Sequence, residues 1–306
     1  MAEGSFKDRR DMRMETEQQQ MHHRGVAAML AATLLWATTF VMMKSAFQDV
    51  PVLWVIALRF LGAAILLAVV GAKRLRRLDK GTVIGGMKMG VLLFVAYLLQ
   101  NLGLVTIAPG KNAFLLTGYT VITPFVAWAW DRKKPDAIHL LAAAVCFTGM
   151  GLASFHGDAT IGQGEILTIT SGLFYALHIV CSSRETRDRD VLLVSLVQMT
   201  TIAVISLVLA VCFAEFPTDA PAYTWWNIAY LSLVCTGVCF LLQTYGQKYT
   251  PAVEVSIILP FESVFGALFS VMLGEQIIAR EVAGYTLMFL AALLSQVRPG
   301  KKEAKE

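Results

Sequence analysis

Leu34-Leu35-Trp36-Ala37-Thr38-Thr39-Phe40-Val41 returns 139 positions downstream as Leu173-Phe174-Tyr175-Ala176-Leu177-His178-Ile179-Val180. The same spacing carries Val52, Leu53, Val55, Ala64 and Val69 onto Val191, Leu192, Val194, Ala203 and Val208. Several apolar stretches agreeing in order on one spacing mark an internal duplication. One matched pair is polar in both copies. Arg59 falls opposite Gln198, each midway along an apolar stretch. In a membrane chain, two such halves point to a transporter rather than to a receptor or an enzyme.

Composition places the chain in the membrane. Hydrophobic residues make up 56% of it and charged residues 16%, far from the balance of a soluble domain. The apolar residues form blocks of roughly 18–23, each long enough to cross a hydrocarbon core of about 30 Å as a helix. Ten are counted: 25–46, 51–71, 83–104, 111–130, 137–155, 164–182, 191–213, 225–245, 251–273 and 279–297. The short alternating segments of a membrane barrel are missing from the sequence. Five stretches per half make the second half enter the membrane opposite to the first. The expected fold is therefore an all-α membrane protein of ten transmembrane helices, arranged as two inverted five-helix repeats. The expected division is an N-terminal tail over 1–24, repeats over 25–155 and 164–297, and a C-terminal tail over 298–306.

Lys and Arg fall almost entirely on one set of alternate loops. With the N-terminus inside, that set holds Lys7 to Arg24, then Lys73, Arg74, Arg76, Arg77 and Lys80. It continues with Arg132 to Lys134, Arg184, Arg187 and Arg189, Lys248, and Arg298 to Lys305. The other set offers Arg280, with Lys44 and Lys111 near helix ends. This asymmetry predicts cytoplasmic termini at both ends. The net charge of +4 follows from that topology and does not indicate a nucleic-acid surface. The polar residues before the first helix read as a mobile tail, not a signal peptide. The five cysteines all lie in apolar stretches and read as small packing residues. No metal site is expected, because Cys235 and Cys239 share a face without nearby His or Asp.

The third stretch has its counterpart in the eighth at a slightly different spacing. Tyr97-Leu-Leu-Gln100-Asn-Leu-Gly103 recurs as Phe240-Leu-Leu-Gln243-Thr-Tyr-Gly246, shifted by 143. With Leu35-Trp36-Ala37, Leu58-Arg59-Phe60, Pro109 to Leu115, Phe174 to His178, Glu262 and Gly274-Glu275, the chain resembles the EamA-like branch of the drug/metabolite transporter superfamily. The resemblance spans residues 25–297 and implies a ten-helix exporter of amino acids or similar compounds. One departure stands out. The family often shows Glu-Pro in its ninth helix, whereas Glu262 is followed by Ser263 and the proline sits earlier, at Pro260.

Arg59 is the leading candidate for chemistry. A charge at a helix centre costs about 2.5–3.5 kcal/mol on insertion scales, so it must face protein or water. It reads either as an anchor for an anionic substrate group or as a clamp between helices. Glu262 is the obvious counter-charge, able to exchange protons during transport or to pair with Arg59 permanently. His178 is the second proton-coupling candidate. Trp36, Tyr97 and Tyr175 carry polar handles suited to lining a cavity for a partly apolar solute. Gln100, Asn101, Asn112, Gln198 and Gln243 are costly if they face lipid, and complete the candidate lining; interhelical bonding is their alternative role.

The favoured reading is a secondary active transporter, a bacterial inner-membrane protein exporting a small organic metabolite such as an amino acid. Alternating access would be driven by protons or exchange, since no Walker A sequence is present to use ATP. No cofactor is expected. The expected partners are a small-molecule substrate and the bilayer, with the chain a monomer or weak homodimer. A membrane-embedded enzyme or a non-transporting sensor or scaffold are the alternatives. His-Glu-x-x-His and Gly-x-Ser-x-Gly patterns are both missing, and so is a soluble output domain.

Overall fold

The computed structural model describes residues 2–131, 137–154, 161–186, 188–249 and 258–294. Of the basic residues used for orientation, Arg132 to Lys134, Arg187 and Arg298 to Lys305 lie outside these. Helix dominates, and no strand occurs among the described residues. In chain order come α1 (Ala2–Ala46), α2 (Val52–Gly71), a 3-10 helix (Ala72–Arg77), α3 (Lys80–Thr106), α4 (Pro109–Asp131) and α5 (Ala137–Ser154). They are followed by α6 (Gln163–Glu185), α7 (Val191–Phe213), α8 (Ala222–Ser232), a π-helical segment (Leu233–Val238), α9 (Cys239–Tyr249), α10 (Phe261–Met272) and α11 (Ala279–Leu294). Helix thus occurs within each of the ten apolar stretches. Seven helical runs are long and apolar enough to cross a membrane, while Ala137–Ala153 and Phe261–Met272 are apolar but shorter.

At the basic end of the bundle, α2 passes through the 3-10 helix into α3. There Asp79 caps α3, its Oδ1 accepting from the Thr82 amide at 3.1 Å. Hydrogen bonds from the Thr82 hydroxyl and amide hold the Asp79 carboxyl below the usual range. Asp190 caps α7 in the same way, accepting from the Leu192 amide at 3.0 Å. Each cap satisfies an amide that the first helical turn leaves without a partner.

In the polar segment before residue 25, α1 runs unbroken from Ala2. The segment is rich in Arg, Glu, Gln and Met, all good helix formers, and contains no proline. Polarity there excludes the membrane interior but not helix.

Apolar side chains gather into two main cores. The larger draws on α1, α2, α3, α7, α8 and α9 around Phe60, Met199 and Ile202. The second draws on α4, α5, α10 and α11 around Leu115, Met150 and Met288. Glycines permit the closest crossings. A Cβ on Gly90 would stand 2.6 Å from Thr201 Cβ, and one on Gly149 would stand 2.7 Å from the Gly284 carbonyl oxygen. Small residues at helix crossings let backbones approach where lipid offers no hydrophobic drive. A third, small cluster of Phe40, Ala113 and Leu116, with Tyr119 and Tyr175 against it, joins helices of both sets.

Candidate functional site

Two interruptions of helical geometry frame the middle of the bundle. The first is the π segment. Widening the turn there lets Thr236 Oγ1 donate back to the Leu231 carbonyl at 2.8 Å, five residues away. The Cys235 carbonyl instead accepts the indole N–H of Trp36 at 2.7 Å. The Trp36 ring packs edge-on against Phe240. The second interruption is Pro260, which starts α10 so that Glu262 falls in its first turn. Proline lacks the amide that a continuing helix needs, and an acidic side chain suits the positive end of a helix.

Arg59 lies beside the π segment and is 0% exposed. Its Nε donates to Thr236 Oγ1 at 2.5 Å, its Nη1 contacts Met43 Sδ at 2.8 Å, and its Nη2 makes a long 3.5 Å contact to Tyr97 Oη. The guanidinium carbon also stands 5.2 Å from the Tyr97 ring centroid, within cation–π range. These partners are all uncharged. No carboxylate among the described residues lies within 4.0 Å of the Arg59 guanidinium. Among the described residues the side chain is therefore solvated but not neutralised.

From Tyr97 a polar path leads away from the basic end. Its ring meets that of Tyr175 at 5.8 Å, and Tyr175 meets Tyr119 at 6.0 Å. Tyr175 Oη donates to Gln100 Oε1 at 2.6 Å. Gln100 faces Asn112, whose Nδ2 donates to the Gln100 carbonyl at 3.2 Å and to Thr168 Oγ1 at 2.8 Å. The path therefore joins α3, α4 and α6. Tyr119 and Tyr175 remain partly exposed despite packing among several helices.

Glu262 is partly exposed too. It lies within electrostatic range of Arg59, Tyr97, Tyr119 and Tyr175. Its carboxylate makes no hydrogen bond or ion pair among the described residues. Of the two roles open to Glu262, a direct pair with Arg59 is not formed in this structure. Next to it, Ser263 Oγ donates to the Ala113 carbonyl at 3.0 Å and bonds Thr117 Oγ1, fastening α10 to α4.

Not every candidate joins this group. Gln198 and His178 are bonded to each other, Nε2 to Nε2 at 3.0 Å. Asn101 turns back to the Tyr97 carbonyl in its own helix, at 2.7 Å. Gln243 lies partly buried on α9. Thr236, Tyr119 and Thr168 belong to the site although the sequence reading did not name them. Tyr119 was detectable as an aromatic with a polar handle in an apolar stretch. Thr236 and Thr168 carry no comparable signal, since threonine is unremarkable in a helix until its partner is known.

Charged contacts lie at both ends of the bundle. At the end opposite the basic one, Lys111 Nζ lies 3.0 Å from Glu281 and 3.7 Å from the buried Glu165. Glu275 accepts from the Gly110 amide at 3.1 Å, and Lys44 donates to the carbonyls of Leu104, Val105 and Ile107. At the basic end, Glu185 bonds Lys88 at 3.1 Å and also Arg189. Among the described residues, no group of three His, Cys, Asp or Glu side chains could hold a metal ion.

Residues 23–155 and 162–296 each match the family described as the EamA-like transporter family. An uncharacterized transporter of Archaeoglobus fulgidus is 26% identical over 214 residues, 70% of this chain and 68% of the relative. The uncharacterized transporter YoaV of Bacillus subtilis is 22% identical over 268 residues, covering 85% of this chain and 92% of its own length. A solved crystal structure covers 89% of this chain and 96% of its own at a TM-score of 0.66 and 16% identity, a likeness of fold alone. The apolar spans and this family match make the chain an integral protein of the plasma membrane.

Proposed function

From the premise that the chain belongs to the EamA-like transporter family, we propose that it is a secondary active transporter exporting a small organic metabolite, such as an amino acid. In this reading two inverted five-helix repeats, ten spans in all with both termini cytoplasmic, alternate access to one central site. The observation that carries the reading is Arg59, fully buried and held, among the described residues, by uncharged partners. A guanidinium in that state costs free energy unless an anion approaches it. A substrate carboxylate supplies that charge, and the fork geometry of arginine suits it. Tyr97, Tyr119 and Tyr175 offer aromatic faces to the rest of the solute, with Gln100 and Asn112 continuing the polar path.

Glu262 is the coupling group. Its carboxylate, without a hydrogen bond or ion pair among the described residues, can take up a proton on one side and release it on the other. His178, already bonded to Gln198, is the secondary candidate. Each half-cycle breaks one set of end contacts, Lys111 with Glu165 and Glu281, or Lys88 with Glu185.

The test is uptake of a labelled metabolite panel into proteoliposomes, with and without a pH gradient. Protein-dependent movement that responds to the gradient supports proton coupling, and movement only against internal substrate supports exchange. If no compound moves and none shifts thermal stability, the proposal is wrong.

A further inference from the structure

The 3-10 helix Ala72–Arg77 arranges its charges in a way an α-helix would not. In 3-10 geometry, side chains three apart eclipse, at about 2.0 Å rise per residue. Lys73 therefore stacks with Arg76, Arg74 with Arg77, and Leu75 with Leu78, whose amide closes the last turn on the Leu75 carbonyl. The result is an apolar column between two basic ones. Every residue in it is exposed, Leu75 and Leu78 at 40% each. The segment follows the last turn of α2, where Val69 and Val70 are 70% and 57% exposed, so it sits where the apolar span ends.

Among the described residues, little of this charge is neutralised. Arg74 meets Asp190 at 3.3 Å. Lys73, Arg76 and Arg77 have no ion pair among the described residues, and Lys80 adds another exposed cation at the start of α3. Like charges stacked about 6 Å apart repel unless anions lie between them. The stretch 139 positions downstream, Val211–Asp219, contains Glu215 and Asp219 and no Lys or Arg. The basic array is thus particular to one connection and is not a product of the duplication.

We propose that Ala72–Leu78 is a binding site for anionic phospholipid headgroups of the leaflet at the basic end. Lipid phosphates lie between the basic columns, while Leu75 and Leu78 enter the acyl boundary. Arg74, held by Asp190 at the cap of α7, ties the occupied site to the second half of the chain. This assignment does not depend on what the protein transports.

The full-length protein, purified in neutral detergent, is titrated with phosphatidylglycerol or phosphatidylcholine, and bound lipid is counted by native mass spectrometry. The wild type retains phosphatidylglycerol preferentially, and the preference falls about fivefold per charge removed in Lys73→Gln, Arg76→Gln and Arg77→Gln. The charge-conserving combination Lys73→Arg, Arg76→Lys, Arg77→Lys keeps it, which separates lost binding from lost folding. Each single variant is read separately, so failure of the triple to insert does not leave the question open. Equal retention of both lipids, an unchanged preference in the Gln variants, or displacement of the lipid by millimolar inorganic phosphate overturns the assignment. The last outcome would make it a soluble-anion site.

Discussion

Thr236 Oγ1 stands between two partners, accepting from Arg59 Nε at 2.5 Å while donating to the Leu231 carbonyl at 2.8 Å. The π segment is what makes the second bond possible, because it brings a hydroxyl within reach of a carbonyl five residues back. A local irregularity of α8 and α9 thereby sets the position of the buried cation. Thr236→Val removes the acceptor and leaves a charged donor unpaired. It should destabilise the protein by about 1–3 kcal/mol, whereas Thr236→Ser should be nearly neutral. Thermal unfolding in detergent distinguishes them, and equal midpoints would show that the bond is dispensable.

Trp36 completes the same irregularity by satisfying the Cys235 carbonyl. Trp36→Phe keeps the aromatic contact with Phe240 but removes the donor. The expected cost is about 1 kcal/mol, with greater hydrogen exchange at the amides of Leu233–Val238. Unchanged exchange there would mean the π segment holds without the indole.

These two residues also show what the sequence could and could not convey. Helix in the ten apolar stretches was legible from block length and from the scarcity of charge. Arg59, Tyr97, Gln100, Asn112 and Tyr175 were legible because polar groups in an apolar run are costly. The π segment and the start of α10 at Phe261 were not. Each depends on contacts between distant helices, and hydropathy periodicity averages over a single inserted residue. The helix over Ala2–Arg24 was not legible for the opposite reason: a polar tail is silent on helix, although many of its residues favour it. The partner of Arg59 was also unreadable: opposite charges suggested Glu262, but the bonds go to threonine, methionine and tyrosine.

At the end opposite the basic one, Lys111 is shared by Glu165 and Glu281. Glu165 is 2% exposed, so Lys111→Met leaves a buried carboxylate short of one cation. Such losses cost about 3–5 kcal/mol when the pair is fully buried; this partly exposed lysine should lose less. Adding Glu165→Gln should recover part of it. The readout is a double-mutant cycle on unfolding free energy, and strict additivity would contradict the pairing.

Glu185 lies beyond the apolar span of α6, between Lys88 and Arg189. Partial burial raises its proton affinity, but the hydrogen bonds from Lys88 and Arg189 outweigh this and hold the carboxyl below the ordinary 4.5. A depressed folded value stabilises above the unfolded one and is lost as pH falls through it. Wild type and Glu185→Gln should therefore differ most in melting temperature above about pH 4.5, and converge in acid. High salt should narrow the gap, since Lys88 is exposed. A gap that widens below pH 4 would reverse the sign and refute the assignment.

Glu262→Gln keeps the shape of the site and removes the exchangeable proton. Transport by the wild type should vary with pH, and that of the variant should be flat. The fold should be unaffected, because the carboxylate has no bond to lose among the described residues. Equal pH profiles would transfer the coupling role elsewhere, first to His178.

The most direct measurement is substrate counterflow in proteoliposomes, comparing wild type with Arg59→Gln at matched incorporation. Counterflow needs no driving force, so it reports alternating access and the central site alone. The account predicts accumulation of labelled solute by the wild type and a loss of about tenfold or more in the variant, with thermal stability showing that the variant is folded. Equal counterflow by a folded Arg59→Gln protein would contradict it, leaving Arg59 a clamp between helices and placing the substrate elsewhere.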